Sequence, residues 1–168
     1  MIWIILLVFA IVFFILYKQT AKKLDEEHAT LAKDYPYTDF NFPEHDADGN
    51  ELQNTYSFEL TGSHHKINDE DPEFYVRRIA IGDPVFFKHQ DVPGYPAAYA
   101  AFNVNGKPLG WLPESHLNRE TVVRRLERNL TVLCCAEKKG SFEDRYGNSH
   151  DCLIVKVAIY NLPKKSKS

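Results

Sequence analysis

Tyr99-Ala100-Ala101-Phe102-Asn103-Val104-Asn105-Gly106-Lys107-Pro108-Leu109-Gly110-Trp111-Leu112 reads as two short strands around a turn. Asn105-Gly106 is the strongest short hairpin signal a sequence offers, because both residues tolerate positive φ. Outward from this hairpin the chain keeps to short strands. Upstream, Tyr56-Ser57-Phe58-Glu59-Leu60 alternates as a half-buried strand does. Val76 to Ile81 and Pro84-Val85-Phe86-Phe87 are further predicted strands, around a Gly82-Asp83 turn. Downstream, one helix is predicted from Glu114 to Asn129. Leu117, Val122, Val123, Leu126 and Leu130 share one face of it, and Arg119, Arg124, Arg125 and Arg128 lie largely on the other. Two last strands, Thr131 to Glu137 and Cys152 to Tyr160, are joined by the polar segment Lys138 to Asp151. Many short strands and one packed helix predict a mainly β (α+β) fold, a small β-barrel or rolled sheet.

Ahead of this domain, Met1 to Tyr17 holds only apolar and aromatic residues. As a helix it would span roughly 25 Å at about 1.5 Å per residue, close to a hydrocarbon core. Trp3 and Tyr17 sit near its ends, where amphipathic rings favour the interface. A signal peptide should carry basic residues before the apolar run and a small-residue cleavage site, and neither is present. The run is therefore read as a transmembrane helix, with the lipid bilayer as its partner. Lys18, Lys22 and Lys23 follow it directly and no side-chain charge precedes it. The positive-inside rule then predicts a single-pass, N-out protein with a cytoplasmic C-terminal domain. Three cysteines, two of them adjacent, also suit reduced thiols better than a disulfide framework.

Composition divides the rest of the chain. Residues 18–55 carry 4 Lys/Arg against 9 Asp/Glu and read as a helical, then irregular, acidic stalk that Pro36 interrupts. Residues 56–162 form the predicted domain, and residues 163–168 a basic, frayed tail. From residue 56 onward, 16 Lys/Arg face 14 Asp/Glu, so bulk charge supplies no drive toward nucleic acid.

Few groupings of chemical residues have ligand spacing. Cys134, Cys135, His150 and Cys152 are soft-metal ligand types, but neighbours on a strand face opposite sides, so the adjacent cysteines read as buried and inert. His64-His65 lacks partners at ligand spacing. Glu44-x-Asp46-x-Asp48-Gly49 echoes the start of a calcium loop, yet its twelfth position is Thr55, and it reads as an Asp-rich turn. No metal or cofactor is expected. No nucleophile with a partner, phosphate-cradling loop or paired carboxylates is recognisable, which points away from an enzyme and from a small-molecule substrate.

The stretch from Gly82 to Leu130 resembles the HIRAN family of small OB-like β-barrel modules. The motifs that carry the resemblance are Gly82-Asp83-Pro84-Val85-Phe86-Phe87, the loop His89 to Ala98, Ala101-Phe102-Asn103-Val104, Asn105-Gly106, and Leu109-Gly110-Trp111-Leu112-Pro113. Phe58-Glu59-Leu60-Thr61-Gly62 is similar to the family's opening strand. The resemblance implies a β-barrel fold and, in the best-known member type, binding of a single-stranded DNA 3′ end. That pocket uses an arginine and aromatics on the opening strand and a tyrosine–aspartate pair in the loop. Here the strand offers Phe58, Glu59 and Leu60, and the loop Ala97 and Ala98, so the site is altered.

Two functional readings follow. One is a membrane-anchored HIRAN-like module that binds nucleic acid through changed residues, with Tyr95 or Tyr99 stacking on a base and Arg124, Arg125 and Arg128 contacting phosphates. In the other, the domain is a protein-interaction or scaffolding unit that uses the Tyr95 to Tyr99 loop and exposed strand edges. In that case the arginines form a solvated face, with Glu120 and Arg124 an ordinary i,i+4 pair.

Overall fold

The computed structural model describes residues 41–162, all of which belong to the second of two units of the chain, Pro36–Ser168. The element order is β1 (Leu52–Glu59), α1 (Pro72–Val76), β2 (Val85–His89), β3 (Tyr99–Asn103), β4 (Pro108–Trp111), α2 (Arg119–Glu127), β5 (Val132–Glu143) and β6 (Ser149–Tyr160). The strands form two antiparallel three-stranded sheets, ordered β1-β6-β5 and β2-β3-β4.

The expected architecture is corrected in three respects. Among the described residues the strands make two sheets and not a closed barrel, because the sheet edges meet only through the isolated bridges Thr61–Trp111 and Pro84–Cys135. A single bridge does not continue the strand ladder that a barrel wall requires. Two helices are present among the described residues, where one was expected. No helix among the described residues is long and apolar enough to cross a membrane. The transmembrane, single-pass, N-out placement with a cytoplasmic domain therefore has no helix of the structure behind it. Its carriers, Met1 to Tyr17 with Lys18, Lys22 and Lys23, lie outside the described residues, as do most of the stalk and the tail at 163–168.

Strand β6 is the centre of its sheet, and its sequence says why. Cys152-Leu153-Ile154-Val155-Lys156-Val157-Ala158-Ile159-Tyr160 is almost continuously apolar, which suits a strand covered on both faces. Leu153, Val155, Val157 and Ile159 are fully buried, and they meet Phe58, Leu60, Val85, Leu109 and Val122 in one core. Each such side chain contributes about 1.5–3 kcal/mol, whereas an exposed ion pair contributes about 0–1, so packing and not surface charge holds the sheets together.

Three turns share one design. Asp46, Asn103 and Asp144 each accept bonds through a side-chain oxygen from the backbone N–H two and four residues on. In each the fourth residue is a glycine at positive φ, Gly49, Gly106 and Gly147. The hairpin between β3 and β4 is thus a longer turn built on Asn103, with only Gly106 left-handed, and not a two-residue turn on Asn105-Gly106. The Asp-rich stretch at 46–50 is the same turn, and Asp46 spends its carboxylate on Asp48 and Asn50. The Asp144 turn joins β5 to β6, so the polar segment from Lys138 is mostly hairpin.

Local signals also explain the helices. Asp71 caps α1 by accepting from Glu73 N–H at 3.1 Å, and Pro72 fits the first turn, where its missing N–H costs nothing. Val76 therefore ends a helix and does not open a strand. Helix α2 stops at Glu127 because Asn129, at φ +52°, closes a Schellman turn: Leu130 N–H bonds Arg125 O and Asn129 N–H bonds Leu126 O. Leu117 precedes this helix and is exposed, outside the apolar face expected to hold it.

Candidate functional site

The end of β1 crosses the end of β4. Thr61 N–H donates to Trp111 O at 2.9 Å, and Trp111 N–H returns to Thr61 O at 2.8 Å. Two glycines permit this approach. A Cβ on Gly62 (φ +65°) would lie 2.8 Å from Trp111 Cδ1, and one on Gly110 (φ +139°) would lie 3.0 Å from Thr61 O. Gly110 thus serves the packing of two strands against each other and not a turn. Residues 61–66 leave this crossing as a strap that carries His65 and Lys66.

The loop from β2 to β3 faces the strap. Val92-Pro93-Gly94-Tyr95 is a tight turn with Pro second, Gly94 third at φ +82°, and Tyr95 N–H bonded to Val92 O at 2.9 Å. Gln90 N–H to Ala98 O at 2.9 Å closes the loop, and His89 Nε2 lies 2.9 Å from Pro96 O. The turn leaves Tyr95 about half exposed, at 52%. Arg119, at the start of α2, reaches back to the loop and donates from Nη2 to Ala97 O at 2.5 Å. Its Nε is buried with no hydrogen-bond partner among the described residues.

Strap, loop and the end of β4 enclose a cleft of about 660 Å³. Its walls include Lys66, Tyr95, Tyr99, Trp111 and Arg119, with Glu114 as an opposing charge. That volume lies within the range of about 300–1,000 Å³ that holds a small ligand or one end of a larger one. Trp111 is half-buried, Tyr95 stands at the rim, and Tyr99, only 6% exposed, belongs to the floor. Burial pushes the Tyr99 phenol up and the Glu127 carboxylate adds to this, against Arg119, so the hydroxyl stays protonated at neutral pH. The cleft therefore combines aromatic surface with two cations, of which Arg119 is held in place by its bond to Ala97 O and Lys66 is exposed on the strap.

The structure separates the sequence-predicted site residues into two places. Tyr95 and Tyr99 line the cleft, while Arg124, Arg125 and Arg128 line a different hollow of about 180 Å³ with Thr121, Leu130 and Leu162. Arg124 pairs with Glu120, and Arg125 donates to Gln53 and to Tyr160 O. Lys139, near them in sequence, instead bonds the carbonyl of Arg77. Lys66, Arg119 and Trp111 are the cleft residues that the sequence reading did not single out as a site. Trp111 was present as a motif residue, and the glycines at 62 and 110 were the available sign that another chain segment approaches it.

The cysteines lie elsewhere, buried in the sheets. Burial pushes both adjacent thiols up, Cys135 to about 11, so neither is a thiolate at neutral pH. Among the described residues no group of His, Cys, Asp or Glu is arranged to hold a metal ion.

No protein-family model matches this chain, and neither a curated protein nor a solved structure does so. The likeness to the HIRAN family accordingly stays a reading of its motifs.

Proposed function

We propose that the domain is a binding module that takes a single-stranded nucleic-acid segment into the cleft between the 61–66 strap and the 90–98 loop. The observation that supports this reading is the placing of Trp111 and Tyr95 beside Lys66 and Arg119 around one cleft. Single strands offer unstacked base faces to aromatic side chains and phosphates to nearby cations, at about 1–3 kcal/mol per stacked base. A duplex hides its base faces, so it competes poorly. The ligand contacts differ from those the HIRAN resemblance implies, since Ala97 and Ala98 occupy the loop positions and Ala97 gives only its carbonyl, to Arg119.

The test is anisotropy of labelled single-stranded DNA with the full-length chain over a salt series, with duplex as competitor. The reading expects saturable binding that weakens with salt and is displaced by single strand ahead of duplex. No binding at low salt would sink it and leave the protein-interaction reading standing.

A further inference from the structure

The β5–β6 turn, α1 and the 61–66 strap converge on one imidazole. His150 Nδ1 lies 3.2 Å from Glu73 Oε2 on α1, and His150 Nε2 lies 3.4 Å from Asp144 Oδ2 in the turn. All three side chains are largely buried, at 19%, 15% and 16% exposure. Carboxylates only accept, and a neutral imidazole has one N–H. Neutral His150 can therefore bond one of the two and must turn a lone pair toward the other, whereas the imidazolium satisfies both. The strap lies against this cluster. Buried Ser63 donates to Asp151 O at 2.7 Å and accepts from Glu73 N–H at 3.1 Å through its carbonyl, while the His64 ring lies 4.9 Å from that of His150.

We propose that His150 is a proton-operated latch: charged, it ties α1 to the β5–β6 turn and steadies the strap that forms one wall of the cleft; neutral, it keeps only one of its two bonds and loosens them. The latch stands on the geometry alone, and only its effect on ligand rests on the reading of the cleft as a binding site.

The surrounding charges agree. From α1 and its C-terminal cap come Glu73 and Arg77, from the strap His64 and His65, and from β6 and the turn before it Asp151 and Asp144. Arg77 bonds both Glu73 and Asp151 at 2.5 Å, and Lys139 of β5 bonds the Arg77 carbonyl at 2.8 Å, so cations stand beside the three carboxylates. The Glu73 bond raises the His150 midpoint above its ordinary 6.5 despite the opposing effect of burial. Burial would raise the Glu73 carboxyl, but bonds from Asp151 N–H, His150 and Arg77 outweigh it, and Asp144 is lowered chiefly by Asn148. His64 works the other way, lowered by burial and by its histidine neighbours. A raised imidazole contributes stability fully below its unfolded midpoint and loses it as pH rises through the folded one. The latch therefore opens on the alkaline side of the ordinary histidine range.

Trp111 reads the strap directly, since it bonds Thr61 and packs on Gly62. The chain has two tryptophans, so in full-length Trp3→Phe protein its emission is the only one. Without ligand, that emission should change with pH along a midpoint matching the His150 ring resonances by NMR, above the ordinary histidine value. Asp144→Asn, which keeps the turn's side-chain acceptor, should move both midpoints down together, and His150→Gln should abolish the transition. A His150 midpoint at or below the ordinary value, measured in unmutated protein, overturns the proposal whatever the variants do. So does a Trp111 transition that survives in His150→Gln. Failure of oligonucleotide binding alone would count against the cleft reading and leave these readouts intact.

Discussion

Two arginine-bearing regions of the molecule look equivalent in sequence and are not. Arg124 and Arg125 on α2 are already engaged with Glu120, Gln53 and the Tyr160 carbonyl, beside a hollow with no aromatic wall among the described residues. Arg119 stands one to two turns earlier, anchored by one bond to the loop and set beside Trp111 and Tyr99. Arg119 and Arg125 both bury an Nε without a partner among the described residues, so that atom does not distinguish them. Their surroundings do. A cation beside an accessible ring recognises a phosphate and a base together, while a cation paired along its own helix mostly solvates a face.

The largest break in this comparison should come from Trp111→Ala. Loss of one stacked base predicts oligonucleotide affinity weakened by about 1–3 kcal/mol, on the order of 5- to 150-fold, read by anisotropy. Gly62→Ala comes next. Its Cβ would sit 2.8 Å from Trp111 at a positive φ, so it should lower unfolding stability by about 1–3 kcal/mol in a denaturant titration and weaken binding with it. Lys66→Gln should reduce affinity a few-fold and flatten the salt dependence by about 0.7 in slope, as loss of one phosphate contact from a single strand does. Arg124→Gln should change both stability and affinity least, by about 0.5 kcal/mol or less, because it removes an exposed i,i+4 pair. If Arg124→Gln matched Lys66→Gln in salt slope, the two regions would have exchanged roles.

The parts of the fold that were legible in the sequence are those decided by neighbours along the chain. The β3–β4 hairpin was visible in Asn105-Gly106, although the turn is built on Asn103, whose side chain supplies the bonds. Strand β6 was visible because a run of apolar residues needs cover on both faces. Val76 to Ile81 misled because its β-branched ends mask Asp71-Pro72, a cap and first-turn pair that starts a helix. The polar stretch from Lys138 hid a hairpin for the converse reason: an arm with a half-exposed surface can carry lysines and glutamates in a regular ladder. The barrel failed at a tertiary level, where two single bridges stand in place of a continuous ladder. The cleft was half legible. Tyr95 follows from a Pro-Gly turn, but its meeting with Lys66 and Arg119 joins segments far apart in sequence that no local pattern links.

The most direct test of the cleft uses Trp3→Phe full-length protein, in which Trp111 is the single reporter. Titrated with single-stranded oligonucleotide at low salt, its emission should quench saturably, with a midpoint equal to that from anisotropy and shifted upward by added salt. Binding by anisotropy that leaves Trp111 emission unchanged would place the ligand elsewhere and contradict the account.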